Sequence, residues 1–232
     1  MTVEKFIEQL AVDGINLSQV QLSQFESYAH LLIEWNEVMN LTAITSFEDI
    51  YEKHFYDSAL PFLEYPPSGS LCDVGSGAGF PGVVLKIIYP SLNVVLLEPL
   101  KKRTNFLATV ITELKLEDIV VINQRAEDYV KLKREQFDWV TARAVANLAI
   151  LAELCLPLVK VDGYFMALKG SNADVEYQQA KKAVTILGAK LNSLSNKPLN
   201  QEITRNNLLF QKFDKTPIKY PRNYAQIKNR PL

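Results

Sequence analysis

An apolar strand pattern that runs directly into a glycine-rich turn and then into a helix constrains the fold of this chain more than any other feature. Segment 72–82 reads CDVGSGAGFPG and is followed by the apolar helical run 83–87. Glycines let the backbone turn tightly and let a ligand lie against it, because no Cβ stands in the way. Pro81 suits the first turn of a helix. The segment therefore predicts a strand, a ligand-holding loop and a helix, and a glycine-rich turn without a ligand is the alternative.

After Pro66 the sequence alternates short β-rich runs with helical segments. This alternation predicts a largely parallel sheet covered by helices on both faces. Right-handed crossovers place the ligand site of such a sheet at the carboxyl ends of its strands. A further strand at Leu208–Phe213 would add an antiparallel edge. We predict strands at Leu71–Val74, Asn93–Glu98, Ile119–Asn123, Phe137–Thr141 and Tyr164–Leu168, and helices at Gly82–Ile88, Lys101–Lys115, Ala146–Val159 and Ala173–Leu187.

The first 65 residues have the pattern of helices that pack on the rest of the chain. Ser18 and Gln21 have the spacing of a capping box, and the apolar residues that follow them lie on one helical stripe. Asn40, which tolerates a left-handed conformation, is a suitable end for this helix. We divide the chain into an N-terminal helical extension (1–65), a ligand-binding α/β domain (66–214) and a basic C-terminal tail (215–232).

The composition is that of a globular protein. Hydrophobic residues make up 48% of the 232 residues and charged residues 22%, which is enough apolar material for a full core. No apolar run approaches the roughly 20 residues that cross a bilayer, and the N-terminus lacks the layout of a signal peptide. We therefore expect a cytoplasmic protein that does not contact membranes. With two cysteines and two histidines far apart in sequence, we also expect no metal site.

The net charge of −1 conceals an uneven distribution. From Lys197 onward eight basic residues stand against two acidic ones, so this part carries +6 and the remainder carries −7. A solvated surface is one interpretation, and an electrostatic arm that binds an anionic polymer is the other. The basic residues are Lys197, Arg205, Lys212, Lys215, Lys219, Arg222, Lys228 and Arg230.

The glycine spacing fits two nucleotide cofactors. Gly77, Gly79 and Gly82 satisfy the G-x-G-x-x-G pattern of dinucleotide-binding proteins, so an NAD-linked oxidoreductase is one hypothesis. Two carboxylates favour S-adenosylmethionine instead. Glu98 closes the second strand, where it can accept both ribose hydroxyls, and Glu127 follows the third strand, where adenine would lie. An NAD enzyme explains Glu98 equally well but gives no reason for Glu127.

The chain as a whole resembles the bacterial small-subunit (16S) rRNA guanine-N7 methyltransferases, also known as glucose-inhibited division protein B. This resemblance implies a Rossmann-like class I methyltransferase fold with a mainly parallel seven-stranded sheet, and S-adenosylmethionine as cofactor. It also implies that the substrate is a guanine in the 530 loop of 16S rRNA, either in the free RNA or in the small ribosomal subunit. We expect the protein to be a monomer. The ordered segments that carry it are Trp35-Asn36, Asn40-Leu41-Thr42, His54, Asp57-Ser58, Asp73 to Gly82, Lys102-Arg103, Phe106-Leu107, Arg125-Ala126-Glu127, Phe137-Asp138, Thr141 to Ala146, Lys169-Gly170 and Tyr220-Pro221-Arg222.

The resemblance also implies a role for individual residues. Arg143 would be the catalytic residue, placed where the cofactor and the target base meet. The tail departs from the family pattern, because Asn223 to Ile227 stand where a turn with glycine and proline is usual. The implied cofactor contacts are Gly75, Gly77, Phe80, Glu98, Ala126, Glu127 and Arg143, and the implied RNA contacts are Lys102, Arg103, Arg125 and Arg222.

Guanine N7 carries a lone pair and no proton, so its methylation requires positioning and desolvation rather than a general base. The sequence is consistent with this reaction. It contains no Asp/Asn-Pro-Pro-Tyr motif, which is typical of enzymes that methylate adenine amino groups, and no Pro-Cys or Thr-Cys motif, which would supply the nucleophile for methylation of cytosine C5. Phe80, Tyr129 and Arg143 are candidates to support an unstacked base. A second hypothesis is a non-catalytic RNA-binding assembly factor that holds S-adenosylmethionine.

Overall fold

The computed structural model describes residues 1–232 and contains one seven-stranded sheet in the order β3-β2-β1-β4-β5-β7-β6. The first five strands run parallel to one another, and β7 is antiparallel to both β5 and β6. The order reverses between β1 and β4, so the carboxyl ends of these two strands open a crevice. The strands are β1 Ser70–Val74, β2 Asn93–Leu97, β3 Ile119–Ile122, β4 Phe137–Arg143, β5 Val159–Lys169, β6 Ala189–Pro198 and β7 Thr204–Lys212.

Helices cover both faces of the sheet, as the alternation predicted. Strand side chains alternate between the two faces, so Leu71 and Cys72 enter different cores. None of the helices is long and apolar enough to span a membrane. The helices are α1 Val3–Val12, α2 Gln19–Met39, α3 Phe47–Asp49, α4 Asp57–Glu64, α5 Gly82–Ile88, α6 Lys101–Glu113, α7 Ala126–Lys133, α8 Leu148–Cys155, α9 Ala173–Ile186 and α10 Tyr224–Asn229, with a π-helical segment Ile50–Tyr56 between α3 and α4.

The N-terminal helices share one core with the sheet instead of forming a separate unit. Phe6 and Phe25 are fully buried in the same cluster as Leu71 of β1. The capping box of Ser18 and Gln21 begins α2, and Asn40 ends it in the left-handed conformation, both as predicted. The Tyr28 hydroxyl of α2 donates to the Ala78 carbonyl, so the helical extension holds the glycine loop directly.

Several predicted boundaries were wrong. The helix predicted at Ala146–Val159 is shorter, because a 3-10 turn at Leu156–Leu158 contains Pro157, which has no N–H for a helical hydrogen bond. Strand β5 consequently begins at Val159 rather than Tyr164. Three elements were missed in the sequence, namely α7, β6 and α10.

The C-terminal tail packs on the α/β core and is not a free arm. Tyr220 and Ile227 are buried in the core on the face of α8 and α9. The Arg222 guanidinium forms two bonds to the fully buried Glu153 carboxylate, with Nε to Oε1 at 2.9 Å and Nη2 to Oε2 at 2.6 Å. This ion pair fixes the path of the tail, although the usual glycine and proline are absent.

Candidate active site

The glycine loop after β1 forms an open backbone surface at the crevice. Gly75 and Gly77 have φ of 71° and 59°, a region that favours glycine. The Gly75 N–H donates to the Leu97 carbonyl at 2.8 Å, which ties the loop to β2. A Cβ on Gly77 would meet no atom closer than 3.9 Å, so the space beside this residue is free for a ligand.

Glu98 follows β2 and faces the same loop. Its side chain is 2% exposed, and its two oxygens accept the backbone N–H groups of Gly77 at 3.0 Å and Leu100 at 2.9 Å. Each carboxylate oxygen can accept more than one hydrogen bond, so both oxygens retain capacity for a ligand diol. The carboxylate therefore fits the predicted contact to ribose and also fixes the shape of the glycine loop.

Two adjoining cavities lie along this edge of the sheet. The first cleft has a volume of about 470 Å³ and includes Gly75, Gly77, Phe80, Glu98 and Arg143 in its lining. A slot of about 130 Å³ beside it is lined by Ala126 and Glu127 and shares Gly75, Pro99 and Val145 with the first cleft. All seven predicted cofactor contacts thus line one or the other of these two neighbouring cavities. Two neighbouring cavities with the Glu98 carboxylate in the larger one suit a nucleoside cofactor such as S-adenosylmethionine.

Asp73 lies beneath the loop and is fully buried. Its Oδ2 accepts the Gly82 N–H at 3.0 Å, whereas its Oδ1 has no hydrogen-bond partner in the structure. Burial raises the pKa of Asp73 to about 7, despite the opposing effect of its hydrogen bonds. Asp73 thus orients the start of α5, and its other oxygen has no protein donor.

Arg143, the last residue of β4, forms a cluster with His54 and Phe80. The guanidinium carbon lies 4.8 Å from the centre of the Phe80 ring, and Nη2 lies 3.1 Å from His54 Nδ1. The His54 and Phe80 rings stack with centroids 4.4 Å apart. Because Phe80 is 5% exposed, it supports Arg143 and His54 and offers little free face to a base. Tyr129, another candidate for stacking, lies in the core beside Phe137.

His54 is neutral in this cluster. Burial first, and the nearby Arg143 charge second, lower its pKa to about 3. Arginine can only donate, so His54 Nδ1 must accept from Arg143, and the proton of the ring must be on Nε2. Nε2 lies 2.8 Å from Thr42 Oγ1, to which it therefore donates.

A second cleft of about 480 Å³ lies on the other side of this cluster. Its wall toward the first cleft consists of three residues that line both, namely His54, Arg143 and Ala144. Asp57 is 6% exposed and binds two guanidinium groups in this cleft. Its carboxylate accepts one hydrogen bond from Arg143 at 3.2 Å and two from Arg205 at 2.6 and 3.2 Å. Lys53 and Lys169 add two ammonium groups to the lining, so cations outnumber carboxylates in the second cleft.

The sequence profile of the GidB family, described as rRNA small subunit methyltransferase G, matches residues 21–204. The chain belongs to this family. Proteins named ribosomal RNA small subunit methyltransferase G from Bacillus pumilus and Bacillus cytotoxicus are 47% and 49% identical to it, each over 100% of this chain and 99% of the relative. As a member of the rRNA small subunit methyltransferase G family, the chain is an S-adenosylmethionine-dependent methyltransferase. Membership thereby decides between the two cofactors that the glycine spacing allowed.

Solved structures of low sequence identity confirm the Rossmann-like fold expected of the family. M. jannaschii TYW2 in complex with AdoMet has a TM-score of 0.53 at 14% identity, covering 62% of this chain and 69% of its own. A 16S rRNA (adenine-N1)-methyltransferase of Catenulisporales acidiphilia with its cosubstrate SAM also has a TM-score of 0.53 at 14% identity, covering 64% and 86%. At these identities the similarity concerns the fold alone.

The four predicted RNA contacts do not form one patch. Lys102 is exposed on the first turn of α6, and Arg103 beside it lines the first cleft with Nη1 3.9 Å from Glu98. Arg125 precedes α7, lines the slot of about 130 Å³ and lies over the Tyr224 ring at 5.2 Å. Arg222 is bound to Glu153 and lines a separate surface cavity.

Of the charged residues that line the second cleft, the sequence analysis gave a site role to Arg143 alone. Lys169 ends β5 and therefore lies at the same sheet edge as Arg143. Arg205 is the second residue of the antiparallel β7, whose first residues pair with the last residues of β5. The conformation of Asp57 and His54 depends on the packing of a π-helical segment, which has no clear sequence pattern.

Two buried groups in the site should give opposite pH dependences of folding stability. Folded Asp73 keeps its proton up to about pH 7, whereas its unperturbed pKa is 3.8, so its contribution to stability falls as the pH rises through this range. Folded His54 stays neutral down to about pH 3, whereas its unperturbed pKa is 6.5, so its contribution falls as the pH drops. Each group changes the free energy of unfolding by up to about 1.4 kcal/mol per pH unit, and the two largely cancel between pH 4 and 6.5.

Single substitutions should reveal each dependence in urea unfolding at pH 4.5, 5.5 and 6.5. In Asp73→Asn only the His54 dependence remains, so we expect the free energy of unfolding of this variant to increase from pH 4.5 to pH 6.5. His54→Gln should show the reverse trend. If the free energy of unfolding depended on pH in both variants as it does in the wild type, the assigned protonation states would be contradicted.

Proposed function

We propose that this chain transfers the methyl group of S-adenosylmethionine to N7 of a guanine in the 530 loop of 16S rRNA, within the small ribosomal subunit. The observation that supports it is the pair of clefts that meet at the Arg143–His54 wall, in a chain of this methyltransferase family. The first cleft and its slot accommodate the cofactor. The second cleft, rich in cations, accommodates the target nucleotide.

The residues at the wall suit an acceptor that needs no general base. The cofactor, when bound, supplies an electrophilic methyl group on a sulfonium. Guanine N7 needs no deprotonation before it is methylated, and neutral His54 has its only acceptor nitrogen occupied by Arg143. The chain therefore acts by holding the methyl donor and N7 in line and by excluding water.

The target guanine must leave its stack to reach this wall. Arg143 uses three N–H groups on Lys53, Asp57 and His54, which leaves two of the five N–H groups of its guanidinium for a ligand. Arg205 has Nη1 without a protein partner and lines the second cleft. These free donors fit the phosphate and base acceptors of an extruded nucleotide.

The exposed cation of Lys102 tests the contribution of the surface to RNA binding. We expect Lys102→Ala to weaken binding of small subunits a few-fold and to lower the slope of log affinity against log salt by about 0.7–0.9, the value for one lost phosphate contact. Lys182→Ala, an exposed lysine on α9, is the matched control and should leave the slope unchanged. Equal slopes for wild type and Lys102→Ala would remove Lys102 from the RNA surface.

Methyl transfer separates the proposed enzyme from a non-catalytic assembly factor. Small subunits from a strain that lacks the gene should accept labelled methyl groups from S-adenosylmethionine in the presence of the purified protein. Strand scission at N7-methylguanine then maps the modified base. A scission pattern that is identical with and without the protein would refute the proposed function, and cofactor binding without transfer would favour the assembly factor.

A further inference from the structure

The Thr42 hydroxyl has both of its acceptor positions occupied. It lies 2.8 Å from His54 Nε2, which carries the proton of the neutral ring, and 3.1 Å from the donating backbone N–H of Ile44. A hydroxyl oxygen has two lone pairs and one hydrogen. The hydroxyl of Thr42 is therefore left as a donor only, and no protein acceptor takes its hydrogen.

This donor lies where the two clefts meet. Thr42 lines the first cleft, Ile44 lines the second, and His54 lines both. The backbone of Thr42 is fixed by its N–H bond to Asn36 Oδ1 at 2.8 Å, so the hydroxyl is held in place by three contacts. Arg143 sets the arrangement, because its bond to His54 Nδ1 forces the ring proton onto Nε2.

We propose that Thr42 donates a hydrogen bond to O6 of the target guanine and thereby selects guanine over adenine. O6 and N7 are neighbouring acceptors on one edge of guanine, whereas adenine carries an amino donor at the position of O6. A hydroxyl that can only donate binds O6 and leaves an adenine amino group without an acceptor. The inference rests on the proposed function and specifies how its target base is recognised.

The cofactor carboxylate is the other acceptor that could receive this hydrogen. Thr42 itself lines the first cleft, but its hydroxyl is bonded to His54, which lines both clefts, and to the N–H of Ile44, which lines the second. This position at the junction of the clefts favours the base. A contact to the base should change methyl transfer in a way that depends on O6. A contact to the cofactor should change cofactor affinity whatever the acceptor base is.

The test is a double-substitution cycle between the hydroxyl and O6. Small subunits are reconstituted with guanosine, inosine or 2-aminopurine riboside at the mapped target position. Inosine keeps O6 and N7, whereas 2-aminopurine keeps N7 but has no oxygen at position 6. Methyl transfer (kcat/KM) is measured with wild type, Thr42→Val and Thr42→Ser, and S-adenosylmethionine affinity is measured by calorimetry.

We expect Thr42→Val to lower kcat/KM about tenfold more on guanosine and inosine than on 2-aminopurine, as the loss of one hydrogen bond would. Thr42→Ser should restore most of this difference. Loss of the partner for His54 and Ile44 affects all three substrates equally and cancels in the cycle. Nitrogen NMR of wild type should show the His54 proton on Nε2.

Three results would overturn the inference. If Thr42→Val lowered kcat/KM equally on all three substrates, Thr42 would be a structural residue. If the substitution strongly lowered the affinity for S-adenosylmethionine, the hydroxyl would contact the cofactor. A His54 proton on Nδ1 would free a lone pair on Thr42 and remove the basis for selection. If wild type fails to methylate guanosine subunits at all, the proposed function fails first, which distinguishes the two failures.

Discussion

Replacement of Glu98 by alanine should weaken S-adenosylmethionine binding by at least about 100-fold. Glu98 is 2% exposed, and its two oxygens face the loop that lines the first cleft. Two charge-assisted hydrogen bonds to the ribose hydroxyls would each contribute about 1.5 kcal/mol or more, and about 3 kcal/mol in total corresponds to more than a factor of 100 in affinity. Isothermal calorimetry of the purified variant measures the loss.

Part of this effect will come from the protein itself, because Glu98 also accepts the N–H groups of Gly77 and Leu100. Cofactor analogues that lack the 2′- or 3′-hydroxyl separate the two contributions. If Glu98 holds the ribose, wild type should discriminate against these analogues and Glu98→Ala should not. Glu98→Gln keeps one acceptor oxygen, so its discrimination against these analogues should lie between that of wild type and that of Glu98→Ala. Equal discrimination by wild type and Glu98→Ala would refute the ribose contact.

The parallel sheet and the cofactor edge could be predicted because their signals are local. An apolar strand, glycines at 75 and 77 and a carboxylate at the end of the next strand each constrain the backbone within a few residues. The crossover rule then brings the ends of β1, β2 and β4 to one edge. These steps need no knowledge of side-chain packing. The individual cofactor contacts, in contrast, were implied by the family resemblance, and they line two neighbouring cavities at this edge.

The missed elements are those whose stability depends on partners elsewhere in the chain. Strand β6 is polar and lies at the edge of the sheet, where its only neighbour is β7. Helix α10 has six residues and is held through the buried Ile227. Neither segment has enough periodicity of its own to reveal its conformation, because tertiary contacts determine it.

The second cleft shows the same limit for function. Asp57 contacts Arg143 and Arg205, which are 86 and 148 residues away in sequence. Only the fold shows that a carboxylate in the N-terminal extension organises a cation on β4 and another on β7. The uneven charge seen in the sequence likewise gave no indication that Arg222 is bound to buried Glu153 while Arg205 lines a cleft.

Arg143→Ala should lower the rate of methyl transfer by about 100-fold and change folding stability far less. Methylation moves a positive charge from sulfur to the purine without creating a new charge, so Arg143 acts by orientation. It fixes the His54 ring, lies over Phe80 and separates the two clefts. A misplacement of about 1 Å at the reacting atoms is enough for a loss of this size.

The stability of the variant distinguishes this role from a structural one. Breaking a buried ion pair typically costs about 3–5 kcal/mol, because a charge is left unpaired, but Asp57 keeps its two bonds to Arg205. We therefore expect a loss of only about 1–2 kcal/mol. Arg143→Lys is the matched control, since an ammonium can pair with Asp57 but cannot also reach His54 with the same planar geometry. It should regain stability without regaining the single-turnover rate at saturating cofactor. If Arg143→Ala had a low melting temperature but a normal single-turnover rate in its folded fraction, Arg143 would be a structural residue. The wall between the clefts would then have no part in methyl transfer.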